Sequence, residues 1–168
     1  IKMYLVKDIN SLTKKEFLSI FGNIFEKSDW IAEEAFDLKP FKNPKDLITK
    51  MIRIYENSSK KKIIIIFNLH PRLAIEKKLT TFSSKEQAAA NLNKCTNEEL
   101  IEFNNLNNDY EKKFNFPFIL AVKGKNKDEI LNNFRRRVKN VYETEYKEAK
   151  AQVKKIATFR LNEILKID

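Results

Sequence analysis

His70 is the only histidine in the chain, and Pro71 follows it directly. An imidazole whose unperturbed pKa lies near neutrality can give or take a proton at ordinary pH. A residue before proline is pushed out of helical geometry, so the step predicts the end of an element, with the ring turned into a space rather than buried within a helix. Downstream, Ser83-Ser84-Lys85-Glu86-Gln87 reads as two interleaved capping boxes, Ser83-x-x-Glu86 and Ser84-x-x-Gln87. Backbone N–H groups, hydroxyls, a carboxylate and a carboxamide gathered at one helix N-terminus would suit an anionic ligand. A lone histidine is more often structural than catalytic, however, and Ser-x-x-Glu is usually a cap alone. Local chemistry leaves both readings open.

The elements that must position these residues read as helices. Thr13-x-x-Glu16 starts the first, with Phe17, Ile20, Phe21 and Ile24 at helical spacing to about Glu26. Ser28-Asp29-Trp30 opens a second, and Pro44 a third that stops near Asn57. The β-branched run Ile63 to Ile66 locally prefers a strand, but no partner strand is offered nearby, and a lone strand leaves its backbone unpaired. Ala88, Ala89, Ala90 and Leu92 suit close helix packing. Thr96-x-x-Glu99 starts a helix with Leu100, Ile101, Phe103, Leu106 and Tyr110 as expected core. Pro117 then breaks an apolar run from Phe114 to Ile119. Either that run is a buried strand-like connection, or backbone N–H groups near Ile119 and Leu120 are left free for a ligand. Asn126 to Glu129 caps a helix carrying Ile130, Leu131, Phe134 and Val138 inward, and a last helix runs from about Thr144 to Leu165. Arg160 falls amid its apolar positions, and the residues alone read it as an edge side chain with its stem packed and its guanidinium in water.

Bulk properties agree with one all-α domain over residues 1–168. A chain of 168 residues supports a real core, and 2 Gly with 4 Pro argue against a turn-rich β fold. The single Cys95 excludes an internal disulfide and, with the single histidine, any common zinc arrangement. A reducing compartment, the cytoplasm, is the expected home. The apolar run Ile63 to Phe67 is too short to span a bilayer, and no charged-then-apolar leader opens the chain. It ends Lys166-Ile167-Asp168, not Ser-Lys-Leu. The net charge of +10 raises a rival function, a basic helical module binding nucleic acid or another anion, with Lys60-Lys61-Lys62 and Arg135-Arg136-Arg137 as its densest patches. Elsewhere lysines and acids interleave, and no RNA-binding aromatic signature accompanies them. Most of the charge reads as solvated helix surface.

A wider set of residues carries a resemblance. His70-Pro71-x-Leu73-Ala74, Leu79-Thr80, Ser83-x-x-Glu86-Gln87, Leu106-Asn107-x-x-Tyr110-x-x-Lys113-Phe114-x-Phe116-Pro117-Phe118, Glu129-Ile130, Arg136-Arg137-x-x-Asn140, Glu145 and Lys155-Ile156-x-x-x-Arg160-Leu161 occur in that order. Upstream stand Phe21-Gly22-x-Ile24-x-Glu26-x-x-x-Trp30 and Pro40-Phe41. Together they resemble the family of OHCU decarboxylase, which acts on 2-oxo-4-hydroxy-4-carboxy-5-ureidoimidazoline in urate degradation. The resemblance implies an all-α single-domain helical bundle with helix at Ile63 to Ile66. It also implies decarboxylation to (S)-allantoin and carbon dioxide without a cofactor or metal. The catalytic residues it implies are His70 as proton donor, Glu86 orienting His70 or the substrate hydroxyl, and Arg160 holding a carboxylate. Ser83 and Gln87 would bond the polar edges of the substrate. Pro71 and Phe118 would wall the pocket, and backbone at Ile119 and Leu120 would bind the substrate. A homodimer with a small anionic substrate, and no nucleic-acid or membrane partner, completes the expectation. The chain departs from the family with Ile75, Asn91 and Asn115 where glycine is frequent; Asn tolerates left-handed backbone, whereas Ile75 fits less easily.

Overall fold

Side-chain caps set most of the helix starts. Thr13, Thr96 and Asn126 each accept a hydrogen bond from the N–H three residues on, and the carboxylates of Glu16, Glu99 and Glu129 accept the cap residue's own N–H. Asn43 caps the helix that Pro44 opens. The structure, a computed structural model, describes residues 2–74 and 79–166. Among these the elements are α1 (Val6–Asn10), α2 (Lys14–Phe21), α3 (Trp30–Phe36), α4 (Pro44–Glu56), α5 (Lys60–Leu69), α6 (Thr81–Ala89), α7 (Asn97–Phe114), α8 (Lys127–Arg137) and α9 (Tyr142–Ile164). Extended backbone pairs at one isolated parallel bridge among the described residues, Tyr4 with Leu165. The fold is all-α. No described helix is long and apolar enough to cross a membrane.

The chain divides into two compact units, Ile1–Leu69 with Lys154–Asp168, and His70–Val153. In the first, Phe17 lies with Phe21, Phe36 and Phe41 at ring separations of 4.6, 5.6 and 6.0 Å, and Phe25 meets Tyr55 at 5.0 Å. Such pairs add to the burial of large apolar surface. The Asn10 carboxamide ties α1 to this cluster: it donates to the Phe41 carbonyl and accepts the Phe41 N–H, both at 2.8 Å. The run Ile63 to Ile66 is helical within α5, where burial of Ile63, Ile66 and Phe67 overrides its strand preference.

In the first unit two features differ from expectation. α1 has no side-chain cap hydrogen bond, so no local signal announced it. α2 stops at Phe21 instead of continuing to about Glu26. A Cβ on Gly22 would come within 2.5 Å of the Leu18 carbonyl oxygen, so a side chain there would collide with the backbone it bonds. The chain turns through residues 22–28 and carries Glu26 inward, to 1% exposure.

In the second unit, Tyr110 gathers Phe114 at 4.5 Å, Phe118 at 5.4 Å and Phe134 at 5.9 Å, and Phe118 stacks on Phe134 at 3.9 Å. Residues 116–122 form a buried, non-helical connection between α7 and α8, entered through the exposed Asn115 at φ 58°. Asn91 takes the same left-handed conformation, so both asparagines stand where glycine would be easy. Ile75 lies outside the described residues. The expected α7 core is right at Phe103 and Tyr110 but wrong at Ile101, which is 61% exposed. The buried stripe is Phe103, Asn107, Tyr110 and Phe114, and Ile101 falls off it. Ala88 and Ala89 are likewise exposed rather than packed, while Ala90 and Leu92 are buried.

Candidate active site

His70 follows the last residue of α5, as the proline step requires, but its side chain is buried to 9% exposure. Three side chains hold the segment after it. Gln87 spans it, donating from Nε2 to the Arg72 carbonyl and accepting the Ala74 N–H at Oε1, both at 3.1 Å. Asn107 Nδ2 donates to the Leu73 carbonyl at 3.2 Å. Arg72 grips α7 through Glu111, with Nε to Oε1 at 2.8 Å and Nη2 to Oε2, and through Asn108. The hydrogen bonds to Glu111 hold the Arg72 pKa above its ordinary value. A histidine at a helix end is thus followed by backbone bonded at Arg72, Leu73 and Ala74.

The proposed capping boxes at Ser83 and Ser84 do not form. Thr80 is the cap: its side chain accepts the Ser83 N–H, and α6 begins at Thr81. Starting there places Ser83 and Gln87 on the buried side of α6, four residues apart, at 4% and 6% exposure. Glu86 is then an interior helical residue, half-buried, and its carboxylate is not the one that closes a box.

The connection at 116–122 is anchored by charge. Arg137 is fully buried and donates from Nη1 to the Ile119 carbonyl at 2.7 Å and from Nε to Glu145 Oε1 at 2.7 Å. Its Nη2 lies 2.6 Å from the same carboxylate oxygen but too far off line for a hydrogen bond. Tyr110 and Asn140 also donate to Glu145, at 2.6 and 3.0 Å. Burial, then the bond to Glu145, pushes the Tyr110 phenol well above its ordinary pKa. The guanidinium lies 4.4 Å from the centre of the Phe118 ring, whose other neighbours are Phe134 and Tyr110. Gln152 accepts the Ala121 N–H at 2.9 Å. Among the described residues, the N–H groups of Ile119 and Leu120 donate no hydrogen bond. The segment is therefore buried, as one of the two readings had it, and these two amides donate to no described residue.

Arg160 lies in the other unit and is 1% exposed, not an edge residue with its head in water. Nη2 donates to Glu26 Oε2 at 3.0 Å, and Nη1 faces the carbonyls of Asn23 and Ile24 at 3.2 and 3.3 Å. The basic run Arg135-Arg136-Arg137 is not a shared patch either. Arg135 pairs with Glu102, Arg136 donates to Asn133, and Arg137 is the buried anchor.

The model of the family described as OHCU decarboxylase matches residues 10–162. The chain belongs to the OHCU decarboxylase family. A 2-oxo-4-hydroxy-4-carboxy-5-ureidoimidazoline decarboxylase from Haloferax volcanii is 35% identical over 94% of this chain and 94% of its own. A uric acid degradation bifunctional protein from Bacillus sp. (strain TB-90) is 39% identical over 98% of this chain, which spans 33% of that relative's length. Among solved structures, (S)-allantoin synthase superposes with a TM-score of 0.79 at 30% identity, covering 99% of this chain and 54% of that one. OHCU decarboxylase in the presence of (S)-allantoin gives 0.70 at 22% identity, over 84% and 94%, which speaks for the shared fold.

Within this family member, His70, Pro71, Ser83, Glu86, Gln87, Phe118, Ile119 and Leu120 fall in one compact unit and Arg160 in the other. Sequence reasoning missed Glu26, Arg137, Glu145 and Gln152 as working groups. The signal for Glu26 was its place directly after the apolar pair Ile24 and Phe25. For Arg137 and Glu145 it was a matched charge on either side of the short break at Asn140.

Proposed function

We propose that this chain decarboxylates 2-oxo-4-hydroxy-4-carboxy-5-ureidoimidazoline to (S)-allantoin and carbon dioxide, as the names of its relatives suggest. The observation that supports the reading is the segment just after His70-Pro71, which Gln87 of α6 bonds at the Arg72 carbonyl and the Ala74 N–H. When the carboxylate leaves, its electron pair enters the adjacent imine of the substrate, which is its own electron sink. A proton must then reach the ring carbon from one face, and His70 is assigned that transfer. Glu86 orients His70 or the substrate hydroxyl, and Ser83 bonds the polar edge. Gln87 acts chiefly through the loop it holds, since both ends of its amide already serve backbone. The Ile119 and Leu120 amides donate to substrate oxygen, beside Pro71 and Phe118. Arg160 is assigned the substrate carboxylate, its guanidinium plane set by Glu26 and two carbonyls. Neither pyridoxal phosphate nor a metal enters this scheme. The proposal extends to residues 1–168 acting as one domain in a cytoplasmic homodimer, with a small anion and no nucleic acid as partner.

The test is His70→Ala and His70→Asn on freshly generated substrate, following (S)-allantoin by circular dichroism. Turnover should fall roughly two to four orders of magnitude, the usual scale for a lost general acid, with the helical spectrum retained. Near-normal turnover by a folded His70→Ala protein refutes the assignment.

A further inference from the structure

We infer that Arg137 and Gln152 are positioning residues for substrate binding, acting through the backbone of Ile119, Leu120 and Ala121. The inference rests on the proposed function and adds to it the groups that aim and strengthen the binding amides. A trans peptide is a rigid plane whose C=O and N–H point in opposite directions. The Ile119 carbonyl and the Leu120 N–H belong to one such plane, and among the described residues the cis bond lies elsewhere, at Lys39-Pro40. Arg137 Nη1 holds that carbonyl at 2.7 Å, so the Leu120 N–H points away from the guanidinium. The next plane contains the Leu120 carbonyl and the Ala121 N–H, and Gln152 Oε1 holds that N–H at 2.9 Å. Gripped at both planes, the segment has little freedom to turn its open amide aside.

The grip also acts electronically. A charged donor on a carbonyl draws density from the amide and makes the N–H of the same plane a stronger donor, as in any polarised hydrogen-bond chain. Burial keeps water from weakening the effect, since Arg137 is 0% exposed and Ile119 2%. The matching ligand group is an anionic or strongly polarised oxygen. Glu145 balances the guanidinium charge, and Tyr110 and Asn140 hold Glu145 in turn. None of these side chains need touch the substrate.

The gentler handle is Gln152, because a buried Arg–Glu pair broken at one end threatens the fold. Gln152→Leu removes the acceptor at Ala121, whereas the exchange Gln152→Glu with Glu148→Gln keeps one and preserves the bond that Gln152 Nε2 makes to Glu148 Oε1 at 2.9 Å. Steady-state kinetics on both are combined with the amide resonances of Ile119 and Leu120 during titration with (S)-allantoin. Gln152→Leu should raise KM about tenfold, the scale of a hydrogen bond lost from binding, while the exchanged pair recovers most of it. In the wild type the Leu120 amide should shift on titration, and in Gln152→Leu the shift should need more ligand. A merely structural role would lower the folded fraction and the apparent kcat but leave KM alone. Arg137→Lys, which keeps the charge but not the fork, should raise KM in the same direction. Wild-type turnover with an unchanged KM in Gln152→Leu and an unmoved Leu120 resonance overturns the inference alone. A wild type that does not turn over the substrate overturns the proposed function and this inference with it.

Discussion

Replacing Glu26 by Gln isolates what the buried partner of Arg160 contributes. Both side chains are nearly solvent-free, at 2% and 1% exposure, and the Nη2 to Oε2 distance is 3.0 Å. Removing one charge from such a pair leaves the other in a poorly solvated site, which typically costs about 3–5 kcal/mol. Two features favour the lower end: the Asn23 and Ile24 carbonyls still face Nη1, and Gln retains one oxygen for Nη2. The expected loss is therefore about 3 kcal/mol. For a chain of this length each kcal/mol moves the melting temperature by roughly 2–4 °C, so Tm should fall by about 6–12 °C. Far-UV circular dichroism melts would read this, with urea titrations followed by tryptophan fluorescence as a check on two-state behaviour. The pair Glu26→Leu with Arg160→Met should recover much of the loss, because no unpaired charge then remains. A Glu26→Gln protein melting within about one degree of wild type would refute the reasoning, since the cation's stability would not then depend on its carboxylate.

Glu86→Gln should leave the melting temperature almost unchanged, because the α6 cap is Thr80, yet reduce turnover strongly and move the alkaline limb of any residual activity to lower pH. Wild-type kcat with an unshifted profile removes Glu86 from the proton chemistry. Tyr110 is an acid whose folded pKa is raised, so its contribution is fully present below the unfolded value near 10 and is lost as pH climbs above it. Stability against urea should accordingly decline above about pH 10, and Tyr110→Phe should flatten that decline, at the expense of one donor to Glu145 at all pH values.

Helix starts were legible because their chemistry is local. Thr13, Thr96 and Asn126 each sit three residues before a glutamate, and all three form the expected reciprocal bonds. The same locality misled at α6. Thr80, Ser83 and Ser84 are all competent caps, and only the packing of Ser83 and Gln87 inward selects Thr80. The left-handed Asn91 and Asn115 could be read from residue type, since asparagine tolerates that conformation. Buried ions could not. Charge reads as surface unless its partner is known, and the partners of Arg137 and Arg160 lie 8 and 134 residues away. Asn107 shows the converse: a polar residue takes a core position on α7 because its amide serves the Leu73 carbonyl beside the His70 loop. The sequence therefore offered candidate reactive side chains and was silent on the scaffold of ions and amides around them.

The Tyr4 to Leu165 bridge and the Glu26 to Arg160 pair share a property that matters during synthesis. Each joins a residue to one synthesised much later in the same chain. At ordinary elongation rates of about 5–20 residues per second, Glu26 waits on the order of ten seconds before Arg160 exists. The compact unit His70–Val153 is contiguous in the chain and has all its residues before that moment, while the unit containing Glu26 does not. Assembly of these units is thus vectorial: the part carrying the histidine can settle first, and the unit containing Glu26 closes only when the end of α9 arrives. A translational pause shortly before Arg160 would prolong the interval in which Glu26 and the aromatic cluster around Phe17 lack their last neighbours. In that window the nascent protein is most exposed to chaperones, proteases and its own aggregation.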